Sequence, residues 1–363
     1  MWPLHKTVLL LPNIIPLTSY FFLLCLRLHS ASAHAASAAI PTYLPVPSRE
    51  VGPPIPTELG YRIQAFGDGT YMVTDGRYQA LFSVTDCSSV IVVDAPPTIG
   101  ANLLHDIGTI TSFPVTHMTY SHSHADHILA AGLIAASNPN ISIIAHALTA
   151  EQLALAPDPH RPAPTTTFET SYTLTISNQT LELAYHGPNH EPGYIFIHSP
   201  HHRILMLVDV VFPGWLPFAR LAEDQSVPGY ILAHEQILEY DFTTFVGGHL
   251  NRVGTREDVR IQQRYVQDLY NTSVHAIGLS AEASGPLSIG KMLPPVAEAN
   301  PGNSWALFRV YLGAVVEFVA EDVGTRWNDR LAGADVFGVS NAAAMVEAVR
   351  NDWGVLGPFG TAE

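Results

Sequence analysis

Cysteine is scarce in this chain, and so is positive charge. Two cysteines among 363 residues rule out a disulfide-built fold. Cys25 stands in the N-terminal segment, so processing there would leave Cys87 alone and no internal disulfide could form. Cys87 follows a strand-like run and reads as packed rather than reactive. Lys and Arg number 17 against 32 Asp and Glu, a net charge of −15. A nucleic-acid substrate is excluded on that ground, because phosphate binding needs a basic surface. The acidic balance itself signals solubility and identifies no partner. Charged residues make up only 13% and hydrophobic residues 47%, so the chain is globular and not disordered. Two nucleophile and metal signatures are also missing: there is no G-x-S-x-G elbow and no H-E-x-x-H helix. Gly285-Pro286-Leu287-Ser288-Ile289-Gly290-Lys291-Met292 approaches a phosphate loop. However, Met292 stands where a hydroxyl would bind magnesium, Pro286 lacks a donor, and no strand precedes it. The run reads as a turn.

The N-terminus reads as a processing segment over residues 1–35. Lys6 supplies a weak positive start, residues 19–28 are apolar, and Ala31-Ser32-Ala33-His34-Ala35 offers small-residue cleavage sites. The expected localisation is secreted, or extracellular. The competing reading is an uncleaved membrane anchor, which Pro12, Asn13 and Pro16 interrupt. With the leader cleaved, no stable membrane association is expected, and removal of Lys6 and Arg27 takes the charge to about −17. Sequons at Asn140, Asn178 and Asn271 could carry glycans in a glycosylating host.

What is present is concentrated in one stretch, Ser121-His122-Ser123-His124-Ala125-Asp126-His127-Ile128. Three imidazoles and a carboxylate fall in six positions, spaced H-x-H-x-D-H. Residues 115–120 before it are β-branched and aromatic and read as a strand, and the Ala-rich run 128–136 after it reads as a helix. Side chains on such a strand-to-helix turn can fan onto one point. Neutral imidazole and carboxylate are good ligands for zinc and similar divalent metals. Four of them on one turn exceed what a single tetrahedral site using outside partners needs, so two adjacent metals are the simpler reading.

Residues 36–58 are rich in Pro, Ser and Ala and read as a linker. Strands are expected at 61–66, 71–74, 78–84 and 90–93, then a helix over 100–111. Later strands fall at 141–145, 174–176, 181–184, 194–198, 204–208 and 242–246, with a Pro-rich loop over 157–164. Strands in two batches separated by helices predict two sheets packed face to face with helices outside, an α/β fold. Past Gly254 the character becomes helical: Thr255 can cap a helix over 256–270, and further helices are expected over 305–321 and 341–353. The resulting division is a main domain over 59–265 and a helical C-terminal extension over 266–363.

The cluster and the candidates that follow it resemble the metallo-β-lactamase superfamily. His122, His124, Asp126 and His127 match its H-x-H-x-D-H motif. His190 in Gly187-Pro188-Asn189-His190 is similar to its next histidine, Asp209 in Val208-Asp209-Val210 to its bridging acid, and His249 in Gly247-Gly248-His249 to its last ligand. Asp94, ending Val92-Val93-Asp94, resembles the early strand-end aspartate and would serve behind the ligands; its alternative is a plain turn former. His186 is the rival of His190, which is preferred because Gly193 then falls into register. The resemblance covers residues 60–265. It implies an αββα sandwich with metals at the lip between the sheets. Aspartate at 209 rather than cysteine is similar to the glyoxalase II and lactonase branches. Glu191-Pro192 stands where the family has a hydroxyl, which places a charge near the metals.

On that resemblance, His122, His124 and His190 would hold one metal, Asp126, His127 and His249 a second, with Asp209 bridging. Two zinc ions per chain are expected; iron or manganese suits the same ligands. Such a pair can lower the pKa of a shared water from 15.7 toward neutral and yield hydroxide, with Asp126 orienting the nucleophile and handling the proton. The expected function is a binuclear hydrolase of an ester or lactone, with thioester or amide also open. Its partner is a small-molecule substrate; oligomeric state is left open. The alternatives are a mononuclear iron oxidase or dioxygenase on the same fold, and a non-enzymatic metal-dependent binding protein. Phe212, Trp215 and Phe218 follow Asp209 and could wall an apolar substrate pocket, or simply pack. His117, His146 and His234 read as structural or surface histidines.

Overall fold

A computed structural model describes residues 40–360. The chain divides into two units, Met1–Thr42 and Tyr43–Glu363, and the fold below is that of the second. The leader expected over residues 1–35, with Cys25 and its cleavage sites, lies outside the described residues. None of the described helices is long and apolar enough to cross a membrane.

Among the described residues the strands form two sheets. The first has seven strands in chain order: β1 Arg62–Gly67, β2 Thr70–Thr74, β3 Gln79–Val84, β4 Val90–Val93, β5 Val115–Thr119, β6 Ser142–His146 and β7 Thr166–Phe168. Pairing is antiparallel from β1 to β4 and parallel from β4 to β7. Parallel neighbours need a crossover, supplied after β4 by α1 Gly100–Ile110 and after β5 by α2 Ala125–Ile128 and α3 Ala131–Ser137. The second sheet runs β12-β11-β10-β9-β8, with β8 Ser171–Ile176, β9 Gln179–Ala184, β10 Phe196–Ser199, β11 Ile204–Met206 and β12 Thr244–Val246. Only its β11/β12 pair is parallel.

The period-2 alternation of strand side chains decides the layers. Along the first sheet Met72, Leu81, Ile91, Val93 and Ile144 face the second sheet and join Leu181, Leu183 and Ile197 in one core. Their neighbours Val73, Phe82, Val92, Met118 and Ile143 face outward and meet Leu103 and Ile107 of α1 and Ile134 of α3 in another. The outer face of the second sheet is covered by α5 Val227–Glu239 and α6 Arg256–Leu279, through Ala233, Ile237, Val259 and Val266. The order helix, sheet, sheet, helix is the expected αββα arrangement.

Several boundaries differ from the sequence reading. The helix expected over 128–136 is two pieces, because Ala130 N–H donates to Ala95 O and Gly132 N–H to His160 O, at 2.9 and 2.8 Å. The helix α4 Ala147–Leu155 and the helix α5 had no clear signal; Pro228 and Gly229 look like breakers, yet Pro228 sits in the first turn, where its missing N–H costs nothing. The Pro/Gly-rich stretch contains α7 Ile289–Ala299, so the phosphate-loop look-alike ends by opening a helix from Ser288. Position 265, taken as the domain end, lies inside α6, whose Thr255–Asp258 capping box is formed. That helix packs with α8 Ser304–Trp327 and α9 Ala334–Asn351.

The described part of the expected linker is docked rather than free. Glu50 is buried and ion-paired with Arg252, and Leu44 N–H donates to Asp335 Oδ2. Cys87, read as packed, is exposed in the β3–β4 turn; the preceding strand ends at Val84, so burial no longer follows the alternation there.

Candidate metal centre

The candidate ligands sit on the turns and loops that follow the cavity ends of the strands. β5 stops at Thr119, and the chain turns through Ser121–Ser123 into α2, for which His124 is the N-cap. Asp94, at the end of β4, anchors the turn: its Oδ1 accepts Ser121 N–H at 2.8 Å. His190 follows β9 and is steered by Gly193, whose φ is +87° and where a Cβ would lie 2.6 Å from Thr149 N. Parallel β11 and β12 deliver Asp209 and His249 side by side, with Asp209 N–H donating to Gly247 O at 3.1 Å. Gly248 permits that approach, since a Cβ there would meet Val208 at 2.5 Å. Asp94 and Asp209 both hold left-handed backbone, φ 59° and 61°, a conformation that aspartate tolerates better than most residues.

The seven residues converge. His122, His124, His190 and Asp209 form one group and Asp126, His127 and His249 another; within each, one ligand atom per residue lies within 4.8 Å of the others. Asp209 stands between them. Its Oδ2 is 3.4 Å from His122 Nε2, 3.4 Å from His190 Nε2 and 3.1 Å from His127 Nε2, while Oδ1 is 2.8 Å from His249 Nε2. His190 Nε2 lies 3.0 Å from His124 Nδ1, and His127 Nε2 lies 3.2 Å from His249 Nε2. His122 Nε2 is buried with no hydrogen-bond partner, although it points into the cluster. An all-nitrogen and oxygen set, carboxylate at its centre and an orphaned imidazole nitrogen facing inward, fits divalent metal. His186, the rival of His190, turns away and bonds Tyr240 Oη at 2.7 Å.

The electrostatics agree with that fit. Burial pushes His122 well below the ordinary imidazole value, helped by its histidine neighbours, and takes His190 down to about 4, so both rings present lone pairs. Burial also works against charge on His127, but Asp209, Asp126 and Asp94 outweigh it and hold the ring up at about 9. Burial likewise opposes ionisation of Asp209, yet His127 and His249 keep it far below the usual carboxylate range. The field that favours a proton at His127 Nε2 is one that favours a cation there. Asp94 is fully buried and pushed up to about 6 by that burial.

The outward nitrogens of the ligands are held differently. His249 Nδ1–H donates to Arg77 O at 2.9 Å, and His122 Nδ1 pairs with Ser121 Oγ at 2.9 Å. His124 alone has a carboxylate behind it: its Nε2 lies 3.2 Å from Glu191 Oε2. Glu191 is buried and also accepts Ser123 N–H and Ser123 Oγ–H, the latter at 3.0 Å. The residue that breaks the family pattern therefore sets a carboxylate against the His124 ring on the nitrogen away from His190, where it favours a proton and leaves Nδ1 free as a ligand.

Comparison with known proteins bears on the same residues. Residues 84–249 match the family model described as metallo-beta-lactamase superfamily, a span that starts at β3 and ends on the last ligand. The chain carries a metallo-beta-lactamase superfamily domain. Members of that superfamily are typically metal-dependent hydrolases. A solved structure, the metallo-beta-lactamase from Pontibacter korlensis, is 20% identical, with a TM-score of 0.50 over 57% of this chain and 99% of that one. At that identity the likeness concerns the fold. No curated protein matches the sequence.

The ligand cluster opens on a cavity of about 650 Å³ lined by His124, Asp126, His190, Asp209 and His249. Phe212 and Phe218 also line it. Trp215 does not; it pairs by a β-bridge with Ala332 and packs beside Gly333, because Phe212 O captures its N–H in a turn that swings the side chain away. Arg77, Tyr78, Ala222, Glu223 and Leu250 line the cavity and were missed by the sequence reading. Tyr78 is adjacent to the Asp75-Gly76 turn signal but reads only as a strand start. Its ring lies 4.8 Å from that of His249, and burial with Asp126 and Asp209 nearby raises its phenol, so the hydroxyl keeps its proton. Residues Arg220, Leu221, Ala222 and Glu223 form a left-handed turn, each with φ near +60°. Asn341 of α9 holds it: Oδ1 accepts Leu221 N–H at 2.8 Å and Nδ2 donates to Pro217 O at 2.9 Å. The helical end of the chain thus shapes the cavity wall.

Proposed function

We propose that this protein is a secreted binuclear hydrolase of an ester or lactone, of the aspartate-bridged kind. The observation that carries the proposal is Asp209, which places both carboxylate oxygens among four imidazole Nε2 atoms at the base of an open cavity. Bound divalent metals, zinc by ligand type, would supply Lewis acidity and lower the pKa of a water. Asp126, whose side chain is 44% exposed, faces the cavity and would take the proton from the attacking water and return it to the leaving oxygen. Tyr78, still protonated, would donate to the carbonyl oxygen as charge builds there. Phe212, Phe218, Ala222 and Leu250 would take the apolar part of a small-molecule substrate. Export is supported by the leader pattern and by exposure of all three sequon asparagines.

The test joins metal analysis to a substrate panel. Purified protein should hold two metals per chain and cleave esters or lactones in preference to thioesters, amides and β-lactams, with activity lost to chelator. One iron per chain with oxygen uptake would support the oxidase reading instead. Inactivity across the panel with both metals in place would support a binding protein.

A further inference from the structure

A second cluster of ligand-type side chains sits at the far end of the sandwich. Strand β2 runs from Thr70 there to Thr74 at the cavity, and β11 runs from Ile204 there toward Asp209. The turns that close this far end are the β1–β2 hairpin, with Asp68, and the β10–β11 hairpin, with His201 and His202. They belong to different sheets. One ligand atom from each of Asp68, His201 and His202 lies within 4.8 Å of the others, and His201 Nε2 is 3.0 Å from Asp68 Oδ2.

We propose that Asp68, His201 and His202 form a separate divalent-metal site that ties the two sheets together at this end. Two features argue for a built site rather than a chance ion pair. His202 is oriented from behind by Ser199 Oγ, 3.0 Å from its Nδ1, and its Nε2 is buried without a hydrogen-bond partner. A ring with one nitrogen engaged and the other free is the form that binds a metal. Asp68 is held in position by its own backbone: φ is +43° between two positive-φ glycines, and Gln179 Nε2 donates to its carbonyl at 2.6 Å. The bland alternative is a hydrogen bond between His201 and Asp68 with the His202 ring resting beside the backbone of Gly67 and Asp68, and it does not account for the convergence of all three ligand atoms. Two imidazoles and one carboxylate suit zinc, with water completing the coordination. Being exposed, at 60% for His201 and 73% for Asp68, the site would be accessible for loading after folding.

The experiment uses the full chain, stripped with chelator and titrated with zinc, reading stoichiometry and thermal stability together. The variants are His202→Ala, and Asp68→Asn combined with His201→Ala; asparagine tolerates the backbone at position 68. Both should bind one equivalent fewer than the parent and lose part of the zinc-induced rise in Tm, with hydrolytic activity unchanged. A His122→Ala variant should keep that equivalent. Unchanged stoichiometry in both variants overturns the proposal, as does an extra equivalent that appears only at millimolar zinc. The readout does not involve the His122 cluster, so it stands or falls apart from the proposed activity.

Discussion

Glu191→Gln isolates the carboxylate behind His124 with almost no change in shape. Glu191 accepts two hydrogen bonds, at Oε1 from Ser123 N–H and at Oε2 from Ser123 Oγ–H, and Oε2 also lies 3.2 Å from His124 Nε2. A glutamine has one acceptor oxygen and one donor nitrogen. With nitrogen toward His124, the negative charge is gone and an amide N–H stands beside the ring's Nε2, which favours the tautomer with its proton on Nδ1. That is the nitrogen 3.0 Å from His190 Nε2, the one that faces the metal group. With the amide reversed, two donors face each other at Ser123 N–H, which is buried. Either arrangement disturbs the His122-His124-His190 group and leaves the Asp126-His127-His249 group alone. Loss of such an outer partner weakens metal binding about 10- to 100-fold, or roughly 1.4–2.7 kcal/mol. The assay is competition with a chromophoric chelator, which resolves two affinities per chain; melting of the metal-free protein checks the fold. One affinity should drop and the other hold. Two unchanged affinities in a folded Glu191→Gln protein would refute the role assigned to this carboxylate.

Other expectations follow from the same geometry. Tyr78→Phe keeps the ring beside His249 but removes the donor, so kcat on a substrate found in the panel should fall about 100-fold with metal content unchanged; an unaffected kcat would exclude the hydroxyl from the reaction. Asn341→Ala removes two of the contacts that hold the left-handed turn, leaving Ser340 Oγ on Arg220 N–H, and should cost about 2–3 kcal/mol in stability and raise KM more than it lowers kcat, measured by urea unfolding and steady-state kinetics. His234 is fully buried, its Nδ1–H donating to Tyr230 O and its Nε2 accepting from Gln262, and burial takes it down to about 4. The unfolded ring protonates near 6.5, so the unfolded chain binds more protons between those values and stability declines as pH falls from about 6.5 to about 4. The gap is worth about 3 kcal/mol. His234→Gln should flatten that decline in Tm against pH, and parallel curves would count against it.

Much of the site was legible in the order of residues. Six positions on one strand-to-helix turn set His122, His124, Asp126 and His127 by local backbone geometry, and strand ends marked by Gly193 and Gly248 announced His190 and His249. The layer order was legible too, since alternation along a strand states which faces are buried. Glu191 was visible as a departure, but its hold on His124 depended on two loops separated by 68 residues meeting. Other features were not written locally. Trp215 turned away and Cys87 lay exposed because turns, not the strand pattern, govern their side chains. Arg220–Glu223 adopts a left-handed path that its residues disfavour by about 1–2 kcal/mol each, and contacts from a helix 120 positions on, Asn341 and Ser340, help to hold it. Sequence by itself determined which groups can bind and in what order they arrive, because those properties belong to single residues and short turns. Tertiary structure alone decided what stands behind each ligand and what walls the cavity, because those contacts join segments that no periodicity connects.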